Sequence, residues 1–151
     1  MKKILVAVAV ALSVASTVAP AADFGLVVNR DFSGADRNSM GITVGQKLGP
    51  FGVQGGFERF SRFNDQDRWS LVGSYDAVKF GSVATLSVKG GAAYLNNEHS
   101  RDGYALTAGL GLDVPLTKSI AWTVDYRHQW GQDRVKQFNG NTLGTGVKFS
   151  F

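Results

Sequence analysis

Two histidines, His99 and His128, are the side chains of this chain best suited to acid–base work near neutral pH. A hydrolase would need one of them to activate a hydroxyl, and His99 has Ser100 beside it. Adjacent residues on an extended segment point apart, so that pair cannot make a nucleophile–base hydrogen bond. His128 is followed two positions later by Trp130, which offers a ring and no nucleophile. The two histidines therefore read as a solvated loop residue and an amphipathic interfacial one. There is no cysteine, hence no thiolate nucleophile, thiolate metal site or disulfide framework. Asn64, Asp65 and Asp67 carry the oxygen ligands calcium takes, but the run lacks the glycine and distal glutamate of a calcium loop. Gly109-Leu-Gly-Leu opens like a dinucleotide fingerprint, yet its third glycine and the helix that should follow are missing. Glycines of a strand explain it better.

The elements that position these residues have a period of two almost throughout. Strands are predicted over residues 23–30, 39–48, 51–60, 69–78, 82–95, 104–114, 119–129 and 143–151. The sixth has the clearest pattern, with Tyr104, Leu106, Ala108, Leu110, Leu112 and Val114 on one face and Ala105, Thr107, Gly109, Gly111 and Asp113 on the other. Val27 and Gln46 break the alternation, and Ala77 is assigned to the apolar face of the fourth strand. Polar loops over 31–38, 61–68, 96–103 and 130–139 alternate strictly with short turns, among them Gly49-Pro50 and Lys79-Phe80-Gly81. An even number of strands puts both termini on the side of the short turns.

Residues 1–21 read as a cleavable signal peptide: Lys2 and Lys3, an apolar run from Ile4 to Ala15, and the small-x-small site Ala19-Pro20-Ala21. The mature domain is expected over 22–151. Of 16 basic residues two lie in this leader, leaving 14 against 12 acidic ones, which removes most of the support for a nucleic-acid partner. Beyond the leader no apolar stretch is long enough for a transmembrane helix, but strands of about ten residues suffice to cross a bilayer tilted. Aromatics gather near the strand ends, with Trp69, Tyr94, Tyr104, Tyr126 and Trp130 toward the loops and Phe51, Phe80, Trp122, Phe149 and Phe151 toward the turns. These would form two interfacial girdles.

The final segment, Leu143 to Phe151, alternates apolar and small or polar residues and ends on an aromatic. With Leu110 to His128 it resembles the small outer-membrane barrels of the OmpA and OmpX type and the porin-like barrel family. The resemblance implies an all-β, eight-stranded antiparallel up-and-down transmembrane barrel in the bacterial outer membrane. It also implies that Phe149 and Phe151 are read by the barrel-assembly machinery. Two eight-stranded families act on lipid A, an acyltransferase and a deacylase, and both need a histidine near a serine at the outer leaflet. His99 and His128 do not supply that arrangement, so no catalysis is expected, and no cofactor.

In such a barrel the small and polar face lines the lumen. Glu58, Lys89, Asp125 and Arg127 are expected near mid-height, with Lys148 also inward. Eight strands enclose a space just wide enough for side chains to fill, which favours a salt-bridged plug over an open pore. Arg62, Arg68, Arg101 and Arg134, in the polar loops, are expected to pair with lipopolysaccharide phosphates. The expected function is structural or porin-like, in a monomer whose partners are outer-membrane lipid, lipopolysaccharide and the assembly machinery. The rivals are a surface adhesin acting through its outer loops and a soluble barrel of lipocalin type with its apolar face inward.

Overall fold

The computed structural model describes residues 22–32, 37–60, 66–97, 102–132, 135–136 and 139–151. The expected signal peptide, 1–21, lies outside them, as do His99, Ser100, Asn64, Asp65, Arg62, Arg101 and Arg134.

Eight antiparallel strands follow one another around a closed barrel: β1 (Ala22–Asp31), β2 (Arg37–Leu48), β3 (Phe51–Phe60), β4 (Gln66–Phe80), β5 (Ala84–Asn97), β6 (Gly103–Pro115), β7 (Ile120–Gly131) and β8 (Gly140–Ser150). Closure comes from β8 pairing along β1, from Asp23 opposite Ser150 to Asp31 opposite Thr142. No unpaired edge is left to template association. Gly49 and Gly81 take positive φ, 64° and 57°, in the turns after β2 and β4, where a side chain would be strained. In the turn before β7, Thr117 Oγ1 accepts the backbone N–H groups of Ser119 and Ile120 at 3.2 and 3.0 Å.

The strands run further toward the loops than their apolar residues suggest. β1 reaches Asp31, β2 starts at Arg37, β4 at Gln66, and β7 includes Trp130. In β1, β2 and β4 the extension continues the alternation with the polar inward residues Asp31, Arg37, Gln66 and Arg68, and pairing persists because those residues find partners inside the barrel. At the turn side β4 continues to Phe80 and residues 81–83 make the turn, so β5 begins at Ala84 rather than at residue 82. The strict alternation expected along the fourth strand breaks at a register shift between Asp76 and Val78, after which Val78 is outward and 44% exposed. Ala77 is the unpaired bulge residue, and Val78 pairs with Leu86.

The alternation settles which face looks out. Leu26, Ile42, Val44, Leu71, Val88 and Leu110 are all about half exposed on the outer surface. An apolar belt of that extent is stable against lipid rather than water, and its orientation excludes the lipocalin-type inversion.

The glycines divide by the same criterion. A Cβ built on Gly91 would lie 2.8 Å from Val72 Cα, whereas one on the neighbouring Gly90 meets nothing nearer than Thr107 O at 3.9 Å. Gly91→Ala is therefore expected to cost about 1–3 kcal/mol through overpacking. Gly90→Ala should be neutral or stabilising by up to about 1 kcal/mol. Urea unfolding midpoints of the two variants test this directly.

Candidate functional site

Charged side chains from every strand meet in the lumen, and they do so in tiers. Toward the turns, Lys47 of β2 donates to both carboxylate oxygens of Asp76 of β4 at 2.9 Å. Lys148 of β8 pairs with Asp113 of β6, and Lys89 of β5 with Asp125 of β7. Each bond skips one strand, so the lysine stem must cross the strand between. Small residues make room: Lys47 lies opposite Gly52, and a Cβ on Gly111 would come within 2.8 Å of Lys89 Nζ.

Toward the loops the centre is Glu58, 2 % exposed. Its Oε1 accepts from Arg127 Nη2 at 2.8 Å. Its Oε2 accepts from Asn29 Nδ2 at 2.7 Å, from Ser39 Oγ at 3.0 Å and from Arg68. Arg68, 1 % exposed, also reaches Asp31 at 3.3 Å, and Thr142 donates to the same carboxylate. Gln129 Nε2 donates to Thr142 Oγ1 at 3.2 Å, and Arg37 Nη1 to Gln66 Oε1 at 3.1 Å. Charges this deeply withdrawn from water persist only when paired and hydrogen-bonded. Glu58, with four donors, meets that condition.

Above this tier the loop-side mouth is apolar. Phe60, Leu95 and Ala105 point inward and are closed over by Val135 from the segment between β7 and β8. Gly103 leaves room for it, since a Cβ there would lie 2.6 Å from Val135 Cγ1. The Arg68 guanidinium sits 5.1 Å from the Phe60 ring centroid, joining the apolar cap to the ionic tier. Among the described residues, voids of about 40 and 50 Å³ lie below the cap, and Lys89 and Asp125 line both. Each holds a few waters at most, far from the hundreds of Å³ of a pocket for an organic solute.

All five expected lumen charges, Glu58, Lys89, Asp125, Arg127 and Lys148, are inside and each is in an ion pair. Glu58, Lys89, Asp125 and Arg127, expected together near mid-height, all line the loop-side void. Glu58 and Arg127 belong to the loop-side tier, Lys148 to the turn-side void, and the Lys89–Asp125 pair lies between. Arg68 is corrected outright: it is not a loop arginine facing lipopolysaccharide but the most buried cation of the lumen. Asp67 has both carboxylate oxygens engaged by Arg59, at 3.0 and 3.3 Å. His128 faces outward, its Nδ1 2.7 Å from Asn141 Oδ1 and its ring tilted 58° against that of Trp130, with centroids 4.5 Å apart. Phe149 pairs with Phe24 at the closing seam, and Phe151, with an exposed ring, donates its backbone N–H to Ala22 O at 3.0 Å.

Asp31, Arg37, Gln66 and Arg68 are the lumen residues that apolar patterning misses. Counting by twos from Asn29, Ser39 and Ser70 would have placed each of them inward.

No family model and no curated protein matches the sequence. Solved structures do match. The N-terminal β-barrel domain of Pseudomonas aeruginosa OprF aligns at a TM-score of 0.73 and 18% identity, over 87% of this chain and 98% of that one. Neisserial surface protein A aligns at 0.59 and 16%, over 87% and 96%. The Yersinia pestis outer membrane protein Ail, in a phospholipid bilayer nanodisc, aligns at 0.55 and 12%, over 87% and 99%. The chain has the fold of the small eight-stranded outer-membrane barrels.

Proposed function

We propose that this is an integral outer-membrane barrel of structural or porin-like type whose lumen is closed to solutes by its own side chains. The observation that carries the reading is the run of ion pairs from Lys47–Asp76 up to Glu58–Arg68, capped by Val135. Filling by paired charges keeps a polar interior without a continuous aqueous path, and it holds non-adjacent strands together. No catalysis belongs to this reading: His128 is bonded to an amide on the outer face. In this account the leader directs export, the assembly machinery reads Phe149 and Phe151, and Arg62, Arg101 and Arg134 meet lipopolysaccharide phosphates.

Planar-bilayer recording tests the closure, with insertion verified by co-flotation with vesicles. The inserted barrel is expected to give no discrete conductance steps. Reproducible steps would make it a pore and overturn the plugged lumen.

A second reading draws support from Ail, the attachment invasion locus protein of Yersinia pestis. In that reading the barrel acts as an adhesin through its outer segments. Unchanged host-cell binding after deletion of residues 96–103 would count against that role.

A further inference from the structure

The two ends of the lumen are sealed differently. At the loop end Phe60, Leu95, Ala105 and Val135 close over the ionic tier, and the side chains of Arg68, Glu58 and Asp31 keep only 1–3% of their surface exposed. At the turn end no such cap is built. None of the buried apolar side chains among the described residues lines the turn-side void, and every member of the three lysine–aspartate pairs except Asp76 keeps 16–31% exposure.

The cations are sorted to match. Arg68 and Arg127 hold the loop-side tier, while Lys47, Lys89 and Lys148 serve the turn side. A guanidinium is weakly hydrated and suits a dry tier, whereas an ammonium is a strongly hydrated point charge. Each ammonium carries three N–H groups. Those of Lys47 make two bonds, both to Asp76, and those of Lys89 and Lys148 make one each. Water is the acceptor left for the remaining N–H groups. Lys89 also leans toward the turn end: it pairs with Gly109 in register, yet its amine lies beside Gly111, the residue opposite its partner Asp125.

We infer that the lumen is a dead-ended aqueous vestibule, open to the turn side as far as Lys89 and Asp125 and sealed beyond them by the Glu58–Arg68 tier and its cap. Water and monatomic ions enter it from the turn-side compartment and not from the loop side. The lysine–aspartate pairs are therefore screened by the salt of one compartment only. This goes beyond the plugged lumen, since a barrel silent in planar bilayers can hold such a vestibule or be sealed at both ends.

Because the chain has no cysteine, single cysteines report without background. Ser74→Cys lines the turn-side void, Thr43→Cys and Gln54→Cys line both voids, and Ser39→Cys replaces a hydroxyl bonded to Glu58 in the loop-side tier. Each variant, its folding verified by the heat-dependent gel shift, is placed in vesicles in nitrate buffer. Orientation is read with a bulky maleimide on Asn96→Cys at the loop end and Lys118→Cys at the turn end, both exposed positions. Silver ion is added on one side, and thiols it has not reached are alkylated after washing and unfolding. Silver from the turn side should abolish alkylation of Ser74→Cys, Thr43→Cys and Gln54→Cys and leave Ser39→Cys fully alkylated. From the loop side it should protect none of the four. Full alkylation of both Thr43→Cys and Gln54→Cys after turn-side silver would overturn the vestibule while leaving the plug in place. Protection of Ser39→Cys from either side, or of any lumen cysteine from the loop side, would overturn the dead end.

Discussion

Glu58→Ala is expected to destabilise the barrel by about 3–5 kcal/mol, because it strands a buried cation rather than because it deletes a favourable bond. Arg68 is 1% exposed, and Glu58 is its nearest counter-charge; Asp31, at 3.3 Å, is left to balance it alone. Arg127 loses its only carboxylate partner among the described residues in the same step. A double substitution separates a stranded charge from a lost bond. Glu58→Ala with Arg68→Met removes the most deeply buried cation as well and should recover part of the loss, the remainder falling on Asp31 and Arg127, which each lose an ionic partner. Urea titration followed by the heat-dependent gel shift measures both. A loss below about 1 kcal/mol for the single variant would mean that water reaches Arg68 and that the loop-side tier is not sealed.

The second large effect belongs to the outer face. Leu110 lies midway along β6 and points outward, 47% exposed. If that surface meets hydrocarbon, Leu110→Arg should cost about 2–4 kcal/mol, whereas Tyr104→Arg, near the loop end of the same strand, should cost at most about 1 kcal/mol. Depth dependence is the diagnostic, because in water both substitutions would be harmless surface changes. Unfolding free energies in lipid vesicles supply the comparison. Equal, small costs at both positions would remove the lipid-facing assignment.

The barrel was legible in the sequence because one face of each strand meets lipid and the other does not. Tyr104 to Val114 alternate without a fault, and a one-residue slip would turn every one of those side chains to the wrong surface. The lumen was legible only where such alternation had already fixed the parity, at Glu58, Lys89, Asp125, Arg127 and Lys148. Asp31, Arg37 and Arg68 were hidden because a run of polar residues has the composition of a loop, whether it faces solvent or a partner across the barrel. Pairing between distant strands decides between the two, and Arg68 with Asp31 is a contact across 37 positions that no local pattern carries. Val135 was hidden for the converse reason. A single apolar residue in a polar segment looks incidental until Gly103 and Gly131 are seen to leave it space. The bulge at Ala77 left no signal, since Ala77 and Val78 are both compatible with either face.

That the apolar belt lies in a bilayer is tested most directly by membrane fractionation. The mature chain, expressed with its leader in a Gram-negative host, should be recovered in the outer-membrane fraction, resist urea washing, and run at a different position on a gel when unheated than when boiled. Recovery in the soluble periplasmic fraction, with no heat-dependent shift, would contradict it.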